Sequence, residues 1–182
     1  MKIVQTAGAH YRVADPDWDN PLDATYSLRR GGRWNAPGTN GALYFSCDIS
    51  TARLNARNML RTRTLAGMPF SFDDLDPAGL PVLVTVNVPP ANAVDAVSDE
   101  GLLEVGLPET FPYDATGDIV TWAKCQPVGA AAVLARVPAI ASRSAAPGTT
   151  HENQELTWFP SVGGTLECAG LPQPFNHWFG DY

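Results

Sequence analysis

Two arginines, a tyrosine and an amide in the N-terminal third of this sequence have side chains suited to one task. Arg12 lies in Tyr11-Arg12-Val13, and Arg33 in Gly31-Gly32-Arg33-Trp34-Asn35. Tyr44 lies in Leu43-Tyr44-Phe45-Ser46-Cys47-Asp48, and Asn55 follows it by eleven residues. A guanidinium presents a planar fork that matches phosphate oxygens bidentately. A phenol offers a flat apolar face with a polar handle. Residues 1–63 carry nine Lys/Arg against five Asp/Glu, a net +4, whereas residues 64–182 carry three against fourteen, a net −11. The cationic segment is almost all arginine, which points to a small anionic ligand; a solvated helix face is the simpler reading for about half of those arginines.

Other chemistries are disfavoured. Cys47, Cys125 and Cys168 stand far apart, with no CxxC and no Cys/His pair at zinc spacing, so no metal is expected and the thiols read as reduced, in a cytoplasm. A formal charge of −7 argues against nucleic acid as a direct partner. No apolar run approaches the roughly 20 residues of a membrane span, and the N-terminus lacks the apolar stretch of a secretory signal. A soluble, cytoplasmic protein is the expectation.

The elements that must position these side chains can be read from pattern. Residues 3–14 suit a strand, Asp15–Pro21 and Gly31–Gly38 read as loops, and Ala42–Ser46 as a short strand. Asp48 or Ser50 can cap a helix to about Arg63. Its apolar positions Ile49, Ala52, Ala56, Met59 and Leu60 face a core, while Arg53, Arg57 and Arg61 form a second, solvated stripe. Asn55 falls on or beside the buried stripe, where an unpaired amide would cost about 1–3 kcal/mol, so it needs a partner. Pro81–Pro89 alternates as the clearest strand. The acidic stretch 98–118 reads as irregular, Pro127 opens a helix through Leu134, and Val137–Ser142 and Leu156–Phe159 are strands. Residues 161–182 stay unassigned. The sum is one α+β domain over residues 1–182, with a mixed β-sheet core and short helices.

Four pieces in order resemble the RES domain: Tyr11-Arg12-Val13, Gly31-Gly32-Arg33-Trp34-Asn35, Leu43–Asp48 leading into a helix, and Trp122-Ala123-Lys124-Cys125-Gln126 leading into another. The Val82–Val88 strand and a Val137–Ser144 segment, matching a closing "PSA"-like piece, extend the resemblance over residues 8–160. It implies an ADP-ribosyltransferase-like fold and a toxin of a toxin–antitoxin pair, partnered by an Xre-like antitoxin. It also implies NAD as substrate rather than cofactor, degraded by hydrolysis or phosphorolysis of the nicotinamide–ribose bond. Alternatives are transfer of ADP-ribose to a protein, or a catalytically impaired module that only binds NAD, ADP-ribose or another nucleotide.

The resemblance assigns Arg33, Tyr44 and Asn55 to catalysis, and Arg12, Arg33, Trp34, Asn35 and Tyr44 to ligand binding, with Arg12 and Arg33 on phosphate oxygens. Trp34 also reads simply as packing. Two departures stand out. Asn55 occupies the position of the family glutamate, and Ala123 that of the family serine, with Thr121 the closest hydroxyl. Asparagine cannot offset a developing positive charge, and losing one such group typically costs about 100- to 1,000-fold in rate. Restoring the carboxylate by Asn55→Glu is therefore expected to raise turnover about 100-fold. A replacement acid from Glu152 or Glu155 is the alternative, set against their reading as surface charge.

Overall fold

The computed structural model describes residues 1–63 and 79–180, without the side chains of 61–63. Five strands close into a barrel in the order β1-β2-β5-β4-β3. They are β1 Ile3–Ala14, β2 Leu43–Ser46, β3 Val82–Ala96, β4 Ala139–Arg143 and β5 Gln154–Trp158. All pairs are antiparallel except β3 with β4, so the α+β, mixed-sheet expectation holds. Alternation along the strands sorts side chains inward and outward. Leu43, Phe45, Val84, Val86, Val88, Ala139, Leu156 and Trp158 fill one cluster contributed by all five strands with Ala14, which is the barrel interior.

The strand β3 runs seven residues past its expected end at Pro89. Its ladder with β1 shifts register between Thr6 and Gly8, opposite Pro89 and Pro90. Gly8 has φ +93 at this point. A bulge is where a strand tolerates prolines, because no ladder hydrogen bond is asked of them. Both prolines are exposed, and pairing resumes at Ala91 opposite Thr6.

Helix α1 spans Thr25–Arg30 and α2 spans Ile49–Arg63. Asp48 caps α2 by accepting from the Thr51 N–H at 2.7 Å and from the Thr51 hydroxyl at 2.7 Å. Ala52, Ala56 and Leu60 are buried, as the spacing requires. The expected solvated arginine stripe is corrected. Arg53 Nε donates to Trp178 O at 2.8 Å, and Arg57 lies over the Phe179 ring at 5.7 Å; the side chain of Arg61 is outside the described residues. These cations hold the C-terminal segment, where α5 Pro160–Gly163 and α6 Phe175–Trp178 form. Before α6, the chain bridges Leu83 through Gln173 and Val86 through Cys168. β4 pairs only with residues 93–96 of β3, so this segment covers an edge otherwise left bare.

Between β3 and β5 lie α3 Asp99–Glu104 and α4 Trp122–Leu134. α3 falls inside the stretch read as irregular. Ser98 accepts from the Gly101 N–H at 3.1 Å, a cap followed by Asp99 and Glu100, which favour a helix N-terminus. α4 starts at Trp122, five residues before Pro127, which is tolerated inside the helix on an exposed side. Outside the barrel, α3 and α4 cover Trp34, Val94, Leu102, Phe111, Val120, Cys125, Val128, Ile140 and Phe159. No helix among the described residues is long and apolar enough to cross a membrane.

Candidate functional site

The register of three strands gathers the site. Ser46, at the end of β2, pairs with Tyr11 on β1 and with Glu155 on β5. Among the described residues, Ser46 with Tyr11 is the only pair joining β1 to β2. Beyond it the two strands no longer pair, and Arg12 Nη1 donates across to Tyr44 O at 3.2 Å. A cavity of about 280 Å³ opens here, lined by Tyr11, Arg12, Val13, Tyr44, Phe45, Ser46, Asn55, Met59 and Glu155.

Helix α2 presents Asn55 to this cavity, as its place beside the buried stripe predicts. Its partners come from two strands. Nδ2 donates to Glu155 Oε1 at 2.9 Å and to Ser46 Oγ at 3.2 Å. Ser144, fully buried just after β4, donates its hydroxyl to the same Glu155 Oε1 at 2.7 Å. Glu155 is thus a half-buried carboxylate held by two donors, which corrects its reading as surface charge; Glu152 is exposed. The hydroxyl expected near Ala123 is also relocated. Thr121 and Ala123 stand exposed at the start of α4, and Ser144 is the hydroxyl that meets the carboxylate.

Tyr44 is committed at its polar end. Its OH donates to Asn35 Oδ1 at 2.7 Å and accepts from the Trp34 N–H at 3.1 Å. Burial pushes its pKa well above the usual phenol value, against the opposing pull of the Trp34 N–H and the Arg33 charge. The hydroxyl therefore stays protonated at neutral pH. Cys47 beside the site is likewise kept as a thiol, pushed up to about 12 by burial, with Asp48 and Glu155 adding to it.

Two ligand-binding expectations are corrected by packing. Trp34 is 1% exposed and its ring packs on Phe111, with centroids 5.8 Å apart. Asn35 is buried, and its Nδ2 donates to Ser27 O at 2.8 Å and Asn40 O at 2.9 Å. With its Oδ1 taken by Tyr44, the amide has little left for a ligand. Both residues build the loop that fixes Tyr44. Arg33 is not among the residues lining the cavity. It is half-buried, its Nη1 donates to Val120 O at 3.2 Å, and its charge reaches Tyr44 and Cys125. The pocket that Arg33 was expected to share with Arg12 and Tyr44 holds only the latter two.

Arg12 is the polar hinge of the region. Burial lowers its pKa to about 10, partly opposed by Tyr44, which leaves it charged at neutral pH. Its Nε is buried without a hydrogen-bond partner, and no carboxylate forms an ion pair with it among the described residues. It also lines a second cavity of about 530 Å³ with Asp17, Trp18, Asp19, Asn20, Asp23, Tyr26 and Arg29. There its guanidinium lies 5.5 Å from the Trp18 ring centroid, and Trp18 and Tyr26 are both exposed.

A family model, the RES domain, matches residues 9–158. No curated protein matches the sequence. Among solved structures, the fold is similar to a chain in the crystal structure of the M. tuberculosis MbcT–MbcA toxin–antitoxin complex. That match has a TM-score of 0.71 and 19% identity, covering 97% of this chain and 91% of the other. At that identity the likeness speaks for the fold. With the family model matching residues 9–158, most of the sequence, the chain belongs to the RES domain family.

Proposed function

We propose that this chain binds NAD and cleaves its nicotinamide–ribose bond, acting as a toxin held in check by an antitoxin protein. The observation that carries the reading is Arg12, a half-buried guanidinium whose buried Nε has no hydrogen-bond partner and which has no carboxylate partner among the described residues, in the wall of both cavities. A buried charge without a counter-charge is costly, and the pyrophosphate of a dinucleotide would supply one. The larger cavity, about 530 Å³, falls within the roughly 300–1,000 Å³ range of small-molecule sites, and the smaller, about 280 Å³, adjoins its lower end. One has an uncharged phenol and a carboxylate in its wall, and the other two exposed aromatic rings on which a base can stack. Membership of the RES domain family and the likeness to the MbcT–MbcA complex support the toxin and antitoxin roles.

Incubating the purified protein with NAD and separating the products tests this. Nicotinamide is expected to accumulate in step with NAD loss. ADP-ribose as the second product identifies water as acceptor, an additional phosphate ester identifies phosphorolysis, and label retained on a protein identifies transfer. In cells, induced expression should lower NAD before growth stops. Purified protein that leaves NAD intact under all three acceptor conditions sinks the catalytic reading.

A further inference from the structure

Resting on that reading, we infer that Glu155 on β5 is the catalytic carboxylate of this site, doing from the strand side what position 55 cannot do as an amide. Residue 55 faces the cavity but carries no charge, and α2 has no acidic residue. Glu155 lines the same cavity from the strand side. One of its oxygens, Oε1, accepts from Asn55 Nδ2 at 2.9 Å and Ser144 Oγ at 2.7 Å. The other oxygen, Oε2, has no hydrogen-bond partner among the described residues, and the side chain belongs to a residue of the cavity wall. The carboxylate is therefore anchored through one oxygen and open through the other.

That arrangement suits the charge that develops when nicotinamide leaves. The C1′–N bond breaks with its electron pair going to the departing base, and positive charge builds on the ribose. A carboxylate fixed beforehand by two donors stabilises that charge without reorganising at the moment of reaction. When water is the acceptor, its oxygen bonds to C1′ and its proton passes to Glu155, then to solvent. Ser144 and Asn55 act through Glu155 as positioning residues. The Asn55→Glu expectation changes accordingly. A carboxylate at 55 would stand at hydrogen-bond distance from Glu155, the two could not both ionise, and turnover should fall rather than rise.

The test compares nicotinamide release and NAD affinity in the wild type, Glu155→Gln, Glu155→Asn, Asn55→Glu and the exchange variant Asn55→Glu/Glu155→Asn. Glu155→Gln keeps an acceptor oxygen for Asn55 and Ser144 but removes the charge. Its single-turnover rate should fall about 100- to 1,000-fold, with affinity held within about threefold. The exchange variant moves the carboxylate across the hydrogen bond and should cleave at least about tenfold faster than Glu155→Asn, while Asn55→Glu alone, which sets two carboxylates face to face, should cleave more slowly than wild type. Folded Glu155→Gln with wild-type turnover overturns the inference and leaves NAD cleavage standing. If Glu155→Gln does not fold, Glu155→Asn and Asn55→Glu decide: turnover below wild type in both folded variants supports the inference, and wild-type or higher turnover in either overturns it. Wild type that binds NAD and never releases nicotinamide overturns both readings.

Discussion

Gly129→Ala is expected to destabilise the fold by about 3 kcal/mol, at the upper end of the usual cost of overpacking a core. Helix propensity alone predicts the opposite sign, since alanine is favoured over glycine in a helix by about 1 kcal/mol. Packing decides. Gly129 lies on the buried side of α4, and its bare Cα lets the helix rest against the backbone of Trp34. A Cβ there would overlap the Trp34 carbonyl oxygen and come within 2.8 Å of the carbonyl carbon. Neither neighbour is a flexible side-chain end, so helix and loop must separate. The loop that would be displaced carries the Trp34 N–H and Asn35 Oδ1, which hold the Tyr44 hydroxyl. Urea denaturation should show the lower midpoint, and the neighbouring exposed position provides the control, with Ala130→Gly costing only about 1 kcal/mol. A Gly129→Ala midpoint at or above the wild type would mean that α4 and the loop do not pack this closely.

Arg12→Leu is expected to weaken NAD binding about 100-fold, equivalent to about 2.7 kcal/mol, while leaving thermal stability unchanged or raised. The first half follows from losing charge-assisted hydrogen bonds, each contributing about 1.5–3 kcal/mol. The second half is a matter of sign. Burial lowers the Arg12 pKa to about 10, so folding disfavours the charged form that dominates at neutral pH. Among the described residues that cost is not offset by an ion pair, and Nε has no hydrogen-bond partner. An apolar side chain in place of an uncompensated buried charge is often neutral or stabilising. Against this gain, leucine cannot make the hydrogen bond that Arg12 donates to Tyr44 O. Calorimetric titration with NAD and a melting curve on the same sample read both effects. Unchanged NAD affinity would remove Arg12 from the ligand site.

Much of the site is legible in the amino-acid sequence because its signals are local. The strand over 3–14, the short strand ending at Ser46 and the helix from Ile49 each follow from spacing within a dozen residues. Together they put Arg12, Tyr44 and Asn55 around one cavity. Trp34 and Asn35 mislead for a physical reason. A motif records that residue types are required, but a required residue can serve by packing a loop as well as by touching a ligand. Arg33 shows the same ambiguity, acting on Tyr44 by charge from outside the cavity lining.

What the sequence by itself determined was the two strands and the helix that carry Arg12, Tyr44 and Asn55, the family resemblance and the absence of a carboxylate at position 55. Only the tertiary structure decided which acid stands in the site. Glu155 is a hundred residues from Asn55, and its surroundings in sequence, Asn153-Gln154-Glu155-Leu156, read equally well as a strand with an exposed charge. Pairing of β2 with β5 in the register Ser46 to Glu155 turns that charge toward Asn55, and a one-residue slip would have pointed it to the other face. Strand register is set by contacts across the whole barrel, so no local window contains it. The arginines of α2 tell the same story: their four-residue spacing defines a stripe, but the C-terminal segment that covers Arg53 and Arg57 arrives from the far end of the chain.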